Sequence, residues 1–393
     1  MMNRIQSTAA AMPVYGAGLR SAVMRVFVIF TVAVCTAASA GQIQAGDLDA
    51  LKSVGQFSKG TRQAKQASEA LVAGGAKNLL PLLQAFDGAS PLAANWLRST
   101  FETIADSQIK AGQSLPKDQF LAFIKDSKNS PAARRLAYEW LLIRRPELKD
   151  QLIPGMLSDP SPEFRRDAVA VLLADASKAD GKEATVLYQK ALQGAVHEDQ
   201  VKTISKALRG SGIEVDLQTH FGFLTNWKII GPFNNKEGVG YAADYPPESE
   251  IEVSAEYEGQ LGTVKWETIQ TDDDFGLINI AEDVKNYKGS VMYVTATYRS
   301  ASDMPVEFRL GTPNAWKLWV NGKLQFEREE YHRSTKMDQY QISVPLKSGQ
   351  NRILLKLCQN EQTQSWAQKY QFQLRVSDTT GAAVLPSVTT ATK

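Results

Sequence analysis

The stretch AWKLWVNGKL, residues 315–324, decides how the second half of this chain is read. Side chains of a β-strand point to alternate faces, so Trp316, Leu318 and Val320 share one face and Lys317, Trp319 and Asn321 the other. Asn321-Gly322 supplies two residues suited to positive φ, the requirement of a type I′ turn, so the chain folds back through KLQF. From this hairpin the pattern spreads both ways. TNWKII, VKWETIQ, VMYVTATYR, VEFRLG, QYQISV, NRILLKL and YQFQLRV alternate or are rich in β-branched and aromatic residues, with Gly, Pro, Asn and Asp between them. In VMYVTATYR, Val291, Tyr293, Thr295 and Thr297 are set against Met292, Val294, Ala296 and Tyr298. Such strands without helical spacing predict an antiparallel β-sandwich of jelly-roll type over residues 217–378. Five of the seven tryptophans fall there: Trp227, Trp266, Trp316, Trp319 and Trp366.

Before residue 217 the periodicity is helical. NLLPLLQAF, QFLAFIKD, RRLAYEWLLI and RRDAVAVLLAD repeat apolar residues at i, i+3 and i+4. Three segments align: SPLAANWLRSTFE from Ser90, SPAARRLAYEWLL from Ser130 and SPEFRRDAVAVLL from Ser161, spaced 40 and 31 residues apart. Serine can cap the free N–H groups of a helix start, and proline suits its first position. Leu97, Ala137 and Ala168, then Phe101, Leu141 and Leu172, recur at matching places. Residues 61–216 are therefore expected to form an α-helical domain, either a solenoid-like repeat or a plain bundle.

Val26 to Ala40 is apolar or small throughout, follows Arg20 and Arg25, and ends Ala38-Ser39-Ala40. This is the pattern of an export signal, too short for a membrane span. Residues 1–40 are read as a signal peptide removed after Ala40, with Met24 an alternative start, and 41–60 as a linker. Bulky Val34 before Cys35 disfavours a lipid anchor there. The mature chain then keeps Cys358 alone, so no internal disulfide can form. The location expected is outside the cytoplasm: periplasmic, cell-surface or extracellular. Residues 379–393 carry little to pack and are expected to be disordered.

The chain has 393 residues, 44 basic against 42 acidic, and a formal charge of +2. That balance offers nucleic acid no long-range attraction. His197, His220 and His332 are scattered without zinc-ligand spacing, no G-x-S-x-G elbow is present, and GVGYAA lacks the third glycine of a dinucleotide loop. Asp274-Phe275-Gly276 matches a kinase tripeptide but has no companion motifs. No cofactor is expected. Carboxylate pairs of glycosidases meet only in space and are not legible here.

The pair WVNGK (319–323) and GQNRILLK (349–356) resembles the signature of galactose-binding-like sandwiches, a group that includes carbohydrate-binding modules and the sugar-binding domain of family 2 glycoside hydrolases. TNWKIIGPFNN, with Trp227 and Gly231-Pro232-Phe233, and Tyr245-Pro246-Pro247-Glu248 resemble segments of related domains in exported bacterial proteins. LSDPSPEFRRDAVAVLL resembles a HEAT or armadillo repeat. These resemblances imply a sandwich that binds a glycan or cell-envelope partner and a helical array that binds protein. Where many such sandwiches carry an acidic pair before the tryptophan strand, this chain has Gly311-Thr312-Pro313-Asn314, which cannot give a hard cation two carboxylates.

Candidate ligand residues are Trp319, as a sugar platform or as core, and the loop residues Tyr331, His332 and Arg333, which can stack and hydrogen-bond or merely face solvent. Asp272, Asp273 and Asp274 are either a calcium cluster or an acidic turn. The reading that follows is an exported, non-catalytic binding or scaffold protein with no membrane anchor after signal removal. The alternative is a glycoside hydrolase or the accessory subunit of a carbohydrate-active enzyme.

Overall fold

The computed structural model describes residues 42–387, so the expected signal peptide and Cys35 lie outside the described residues. The described residues form two compact units, divided after Arg144. The first is helical, with its longest helix at Pro91–Lys110. The second begins with helices, the longest being Pro162–Ala176, and continues into antiparallel sheets. None of the described helices is long and apolar enough to cross a membrane.

The Ser-Pro starts are real helix starts. Ser90 Oγ accepts from Ala93 N at 3.2 Å, and Ser161 Oγ accepts from Phe164 N at 3.4 Å. Ser130 makes no such bond, although Pro131 still opens its helix. The aligned positions Leu97, Phe101, Ala137, Leu141 and Ala168 are buried. Helices extend beyond the expected 61–216 on both sides. Residues 41–60, expected to link, contain the helix Gln42–Lys52 with Leu51 fully buried, and the last helix of the run is Leu217–Phe221.

The strands are β1 (Asn226–Asn234), β2 (Glu256–Gly259), β3 (Gly262–Lys265), β4 (Glu267–Gln270), β5 (Ile278–Asn279), β6 (Ser290–Ser300), β7 (Met304–Gly311), β8 (Ala315–Val320), β9 (Lys323–Arg328), β10 (Tyr340–Leu346), β11 (Gly349–Gln359) and β12 (Gln371–Ser377). One sheet runs β4-β1-β6-β11-β8-β9, a second β10-β7-β12-β5, and β2 and β3 form a separate hairpin. One apolar core joins the two larger sheets: Trp227, Met292, Val294, Trp316, Leu318 and Leu355 from the first meet Phe308, Val344, Phe372 and Leu374 from the second. Trp227 sits edge-on to Phe372 with centroids 5.3 Å apart.

The opening hairpin has the geometry that its sequence dictates. Asn321 and Gly322 take φ of 54° and 76°. Asn321 does more than turn. Its Nδ2 donates to Asn351 Oδ1 at 2.9 Å, and its Oδ1 accepts from Arg352 N at 2.9 Å. Asn351, fully buried, in turn closes the β10–β11 turn by accepting from Lys347 N and donating to Lys347 O. The two asparagines of the WVNGK and GQNR segments are thus one hydrogen-bonded unit.

A single buried arginine ties the second sheet to its surroundings. Arg375 on β12 is fully buried and clasps Asp338 with two bonds of 2.6 Å. Its Nη1 donates to Phe221 O and to Gly381 O. Arg309 on β7 reaches the same carboxylate at 2.8 Å. Burial alone would raise the Asp338 carboxyl, but the two guanidiniums outweigh it and hold it below the ordinary range. The expected disorder of 379–393 is corrected here for residues 379–387. Asp378 Oδ1 caps a turn by accepting from Thr380 N, Gly381 takes φ of 86°, and Val384 N donates to Val376 O at 3.0 Å. Small residues let the chain double back along β12. Their lack of bulk is what made them look unstructured in the sequence.

Candidate functional site

The outer face of the six-stranded sheet, turned away from the shared core, divides into a roofed half and an open half. Alternation decides which side chains reach it. Val291, Tyr293, Thr295 and Thr297 of β6 point outward, as do Cys358, Lys356, Leu354 and Arg352 of β11 and Ala315, Lys317 and Trp319 of β8.

The roofed half holds a second apolar cluster: Ile230, Phe233, Val291, Tyr293, Trp319 and Cys358, with Tyr241, Tyr245 and Ile251 packed on it from the 235–260 segment. In its middle sits Lys356, fully buried. Its Nζ donates to Glu248 Oε1 at 2.8 Å, to Ala243 O at 2.7 Å and to Tyr241 O at 3.2 Å, which accounts for all three ammonium protons. Tyr293 Oη donates to the same Glu248 oxygen. Burial, and then the Glu248 carboxylate, push the Tyr293 hydroxyl far above its ordinary value. Tyr245 Oη donates to Asn234 O at 2.5 Å. The Tyr245-Pro246-Pro247-Glu248 segment is therefore a roof pinned by one buried ion pair. Burial raises the Cys358 thiol to about 12, so it is not a ready nucleophile.

At the roof's edge lies a cavity of about 360 Å³ lined by Pro247, Glu250, Ile251, Trp319, Arg352 and Leu354, among others. Trp319 thus points away from the shared core, 9% exposed, with the roof on one side and this cavity on the other. A second cavity of about 420 Å³ shares Ile251 and Arg352 with the first and extends over Asn226, Lys228, Thr268, Thr295 and Thr297. Arg352 Nη1 donates to Ile251 O at 3.3 Å between them.

Strand register explains why these residues meet. Trp319 pairs with Leu354, Leu354 with Thr295, Thr295 with Lys228, and Lys228 with Thr268. The five form one straight row across β8, β11, β6, β1 and β4. The neighbouring row carries Arg352 opposite Thr297. At roughly 4.8 Å per strand the floor spans about 19 Å. It is apolar at the Trp319 end and lined with hydroxyls beyond it.

The other sequence candidates do not join Trp319. Along β11, Trp319 lies beside Leu354, while Tyr331 packs on the same cluster nearer Asn235, whose Nδ2 donates to Tyr331 Oη at 3.3 Å and to Gln359 O at 3.0 Å. Five residues of strand, about 16 Å, separate these places. His332 Nε2 bonds Asn360 Oδ1 at 2.7 Å and meets the exposed Trp366 edge-on at 5.1 Å. Arg333 pairs with Glu330 at 3.2 Å. His332 and Trp366 thus make a small loop pair of their own, while Tyr331 stays with the roofed cluster.

Asp272, Asp273 and Asp274 do not converge on a cation. Asp274 takes both terminal nitrogens of Arg209, at 2.6 and 2.7 Å, and Asp273 Oδ1 accepts from Phe275 N and Leu277 N. No group of His, Cys, Asp or Glu among the described residues has metal-binding geometry. Thr312 and Asn314, standing where similar sandwiches have acids, are buried and bond the β12 strand at Gln371.

Lys356, Glu248, Lys228 and Arg352 were not candidates in the sequence. A lysine inside the apolar run ILLKLC was the one available signal for the buried ion pair.

No protein-family model and no curated protein matches the chain. Carbohydrate-active enzymes are among the solved structures that overlap it. They include the GH31 alpha-xylosidase from Xanthomonas citri (14% identity, TM-score 0.19, 40% of this chain and 16% of that one). The beta-glucosidase from Kluyveromyces marxianus overlaps at 11% identity and TM-score 0.25, over 70% of this chain and 35% of that one. The Podospora anserina GH26-CBM35 beta-(1,4)-mannanase overlaps at 15% identity and TM-score 0.15, over 26% of this chain and 25% of that one. The chain spans 16% to 35% of the length of these matched chains. At TM-scores this low no common architecture follows.

Proposed function

We propose that this chain is an exported, non-catalytic carbohydrate-binding protein whose glycan lies in the open groove from Trp319 to Thr268. The observation that carries the reading is the cross-strand row Trp319–Leu354–Thr295–Lys228–Thr268 lying beneath two adjoining cavities. A sugar ring offers an apolar C–H face and a rim of hydroxyls, and this floor offers an aromatic wall followed by hydrogen-bonding groups. Two antiparallel sheets around one core support the galactose-binding-like jelly-roll reading. The Ser-Pro helices support a HEAT-like array that presents a surface to a protein partner.

The second reading, a glycoside hydrolase or the accessory subunit of a carbohydrate-active enzyme, keeps the same ligand class and accords with the names of the overlapping structures. Of the two carboxylates lining the first cavity, Glu248 already serves Lys356 and Tyr293. That leaves Glu250 without a second free acid beside it in that cavity, and this favours binding over hydrolysis.

Affinity electrophoresis of the mature chain through gels containing soluble polysaccharides tests the reading. At least one polysaccharide should retard the wild type, and Trp319→Ala should weaken that retardation by about ten-fold or more, consistent with roughly 1–3 kcal/mol for an aromatic contact of this kind. Release of reducing ends from the retarding polysaccharide would instead establish the hydrolase reading.

A further inference from the structure

Resting on the carbohydrate reading above, we propose that the ligand of this groove is an acidic glycan, held by Arg352 and Lys228. Both cations are solvent-exposed and line the groove, Arg352 where the two cavities meet and Lys228 in the second. Neither belongs to any ion pair among the described residues, whereas nearby Lys317 and Lys356 are matched with Glu327 and Glu248. Arg352 spends one donor on Ile251 O, and Lys228 spends one on Thr268 Oγ1 at 2.7 Å. Neither side chain makes another hydrogen bond among the described residues, and the Glu250 carboxylate, which shares the first cavity with Arg352, is paired with neither cation. A guanidinium fork suits a carboxylate or a sulfate equally well.

Two features favour a polymer of sugars over other anions. The cations stand two strands apart, on the order of 10 Å, which suits charges on separate units of one chain and not a single small anion. Hydroxyls of Thr268 and Thr297 lie among them, while buried Thr295 spends its own on Ile353 O at 2.7 Å, and Trp319 with Leu354 closes the apolar end. An acidic peptide would gain most by adding to a free strand edge. Here β8, β11, β6 and β1, over which most of the groove runs, are each paired on both sides, and only its Thr268 end reaches the edge strand β4.

The experiment compares polymers that differ only in charge. Binding of the full mature chain is measured calorimetrically with polygalacturonate and its fully methyl-esterified form, with dextran sulfate and dextran, and with poly-glutamate. The expected result is that one acidic polysaccharide binds and its neutral counterpart does not, with affinity falling as salt rises. The polygalacturonate and dextran sulfate arms distinguish carboxylate from sulfate. Arg352→Met and Lys228→Met should each weaken binding about ten- to hundred-fold, the range for a hydrogen bond to a charged group. Unchanged thermal unfolding of each variant would assign the loss to the groove and not to the fold. Equal binding of charged and neutral forms, abolished by Trp319→Ala, would overturn the inference and leave the carbohydrate reading standing. Binding to poly-glutamate alone, or to none of the polymers, would overturn both.

Discussion

Replacing Arg375 with methionine should destabilise the second unit by about 3–5 kcal/mol, the usual cost of removing one member of a buried ion pair. The substitution keeps much of the side-chain volume, so the loss is electrostatic. Asp338 would keep only Arg309, and the carbonyls of Phe221 and Gly381 would lose their shared donor. Arg375→Lys should recover only part of the loss, because an ammonium cannot reproduce the fork on Asp338 while reaching two carbonyls. The same cluster sets an acid limit. The folded-state pKa of Asp338 is depressed, so its contribution is complete above the unfolded carboxyl value of about 3.9 and is lost as pH falls through the lower folded value. Denaturant unfolding at pH 7 and below pH 4 measures both effects. The wild type should lose more stability on acidification than Asp338→Asn does. A cost below about 1 kcal/mol for Arg375→Met would mean that the cluster is ornamental.

Glu248→Ala should be nearly as harmful, again about 3–5 kcal/mol, and should also strip the groove of its wall. It leaves the Lys356 ammonium buried without a counter-charge, and the Tyr293 hydroxyl without its acceptor. Because Pro247, Glu250 and Ile251 line the first cavity from the same segment, glycan binding should fall along with stability. The double variant Glu248→Leu/Lys356→Met separates the two effects. An apolar pair of similar volume should restore most of the stability, since a buried ion pair seldom outperforms good packing. If the double variant is as unstable as Glu248→Ala alone, the damage comes from lost shape and not from the stranded charge. Unfolding curves and affinity electrophoresis of the three proteins give the answer.

The sequence was most legible where neighbours in the chain determine the outcome. Alternation in VMYVTATYR assigns Val291 and Tyr293 to one face and Met292, Val294 and Tyr298 to the other, and the two apolar clusters divide them that way. Asn321-Gly322 fixes its own turn. The site was far less legible, because its parts meet only through register and through the roof. Trp319 and Lys228 lie 91 residues apart and share a row only because three strand pairings carry them there. The roof itself has no periodicity to read; its prolines and tyrosines gain meaning from a lysine 108 residues further on. Conversely, Tyr331 to Arg333 are adjacent in sequence, which made them look like one site, yet their side chains find Asn235, Asn360 and Glu330 separately.

Lys356 also gives the molecule a built-in reporter. Its amine is wholly enclosed, with every proton already engaged, so an amine-reactive reagent can reach it only while the Tyr245–Glu248 segment is lifted away. The pace at which acetic anhydride marks that one lysine, followed by mass spectrometry against exposed Lys323 as the clock, should therefore track how often the cover opens, and bound polysaccharide should slow it.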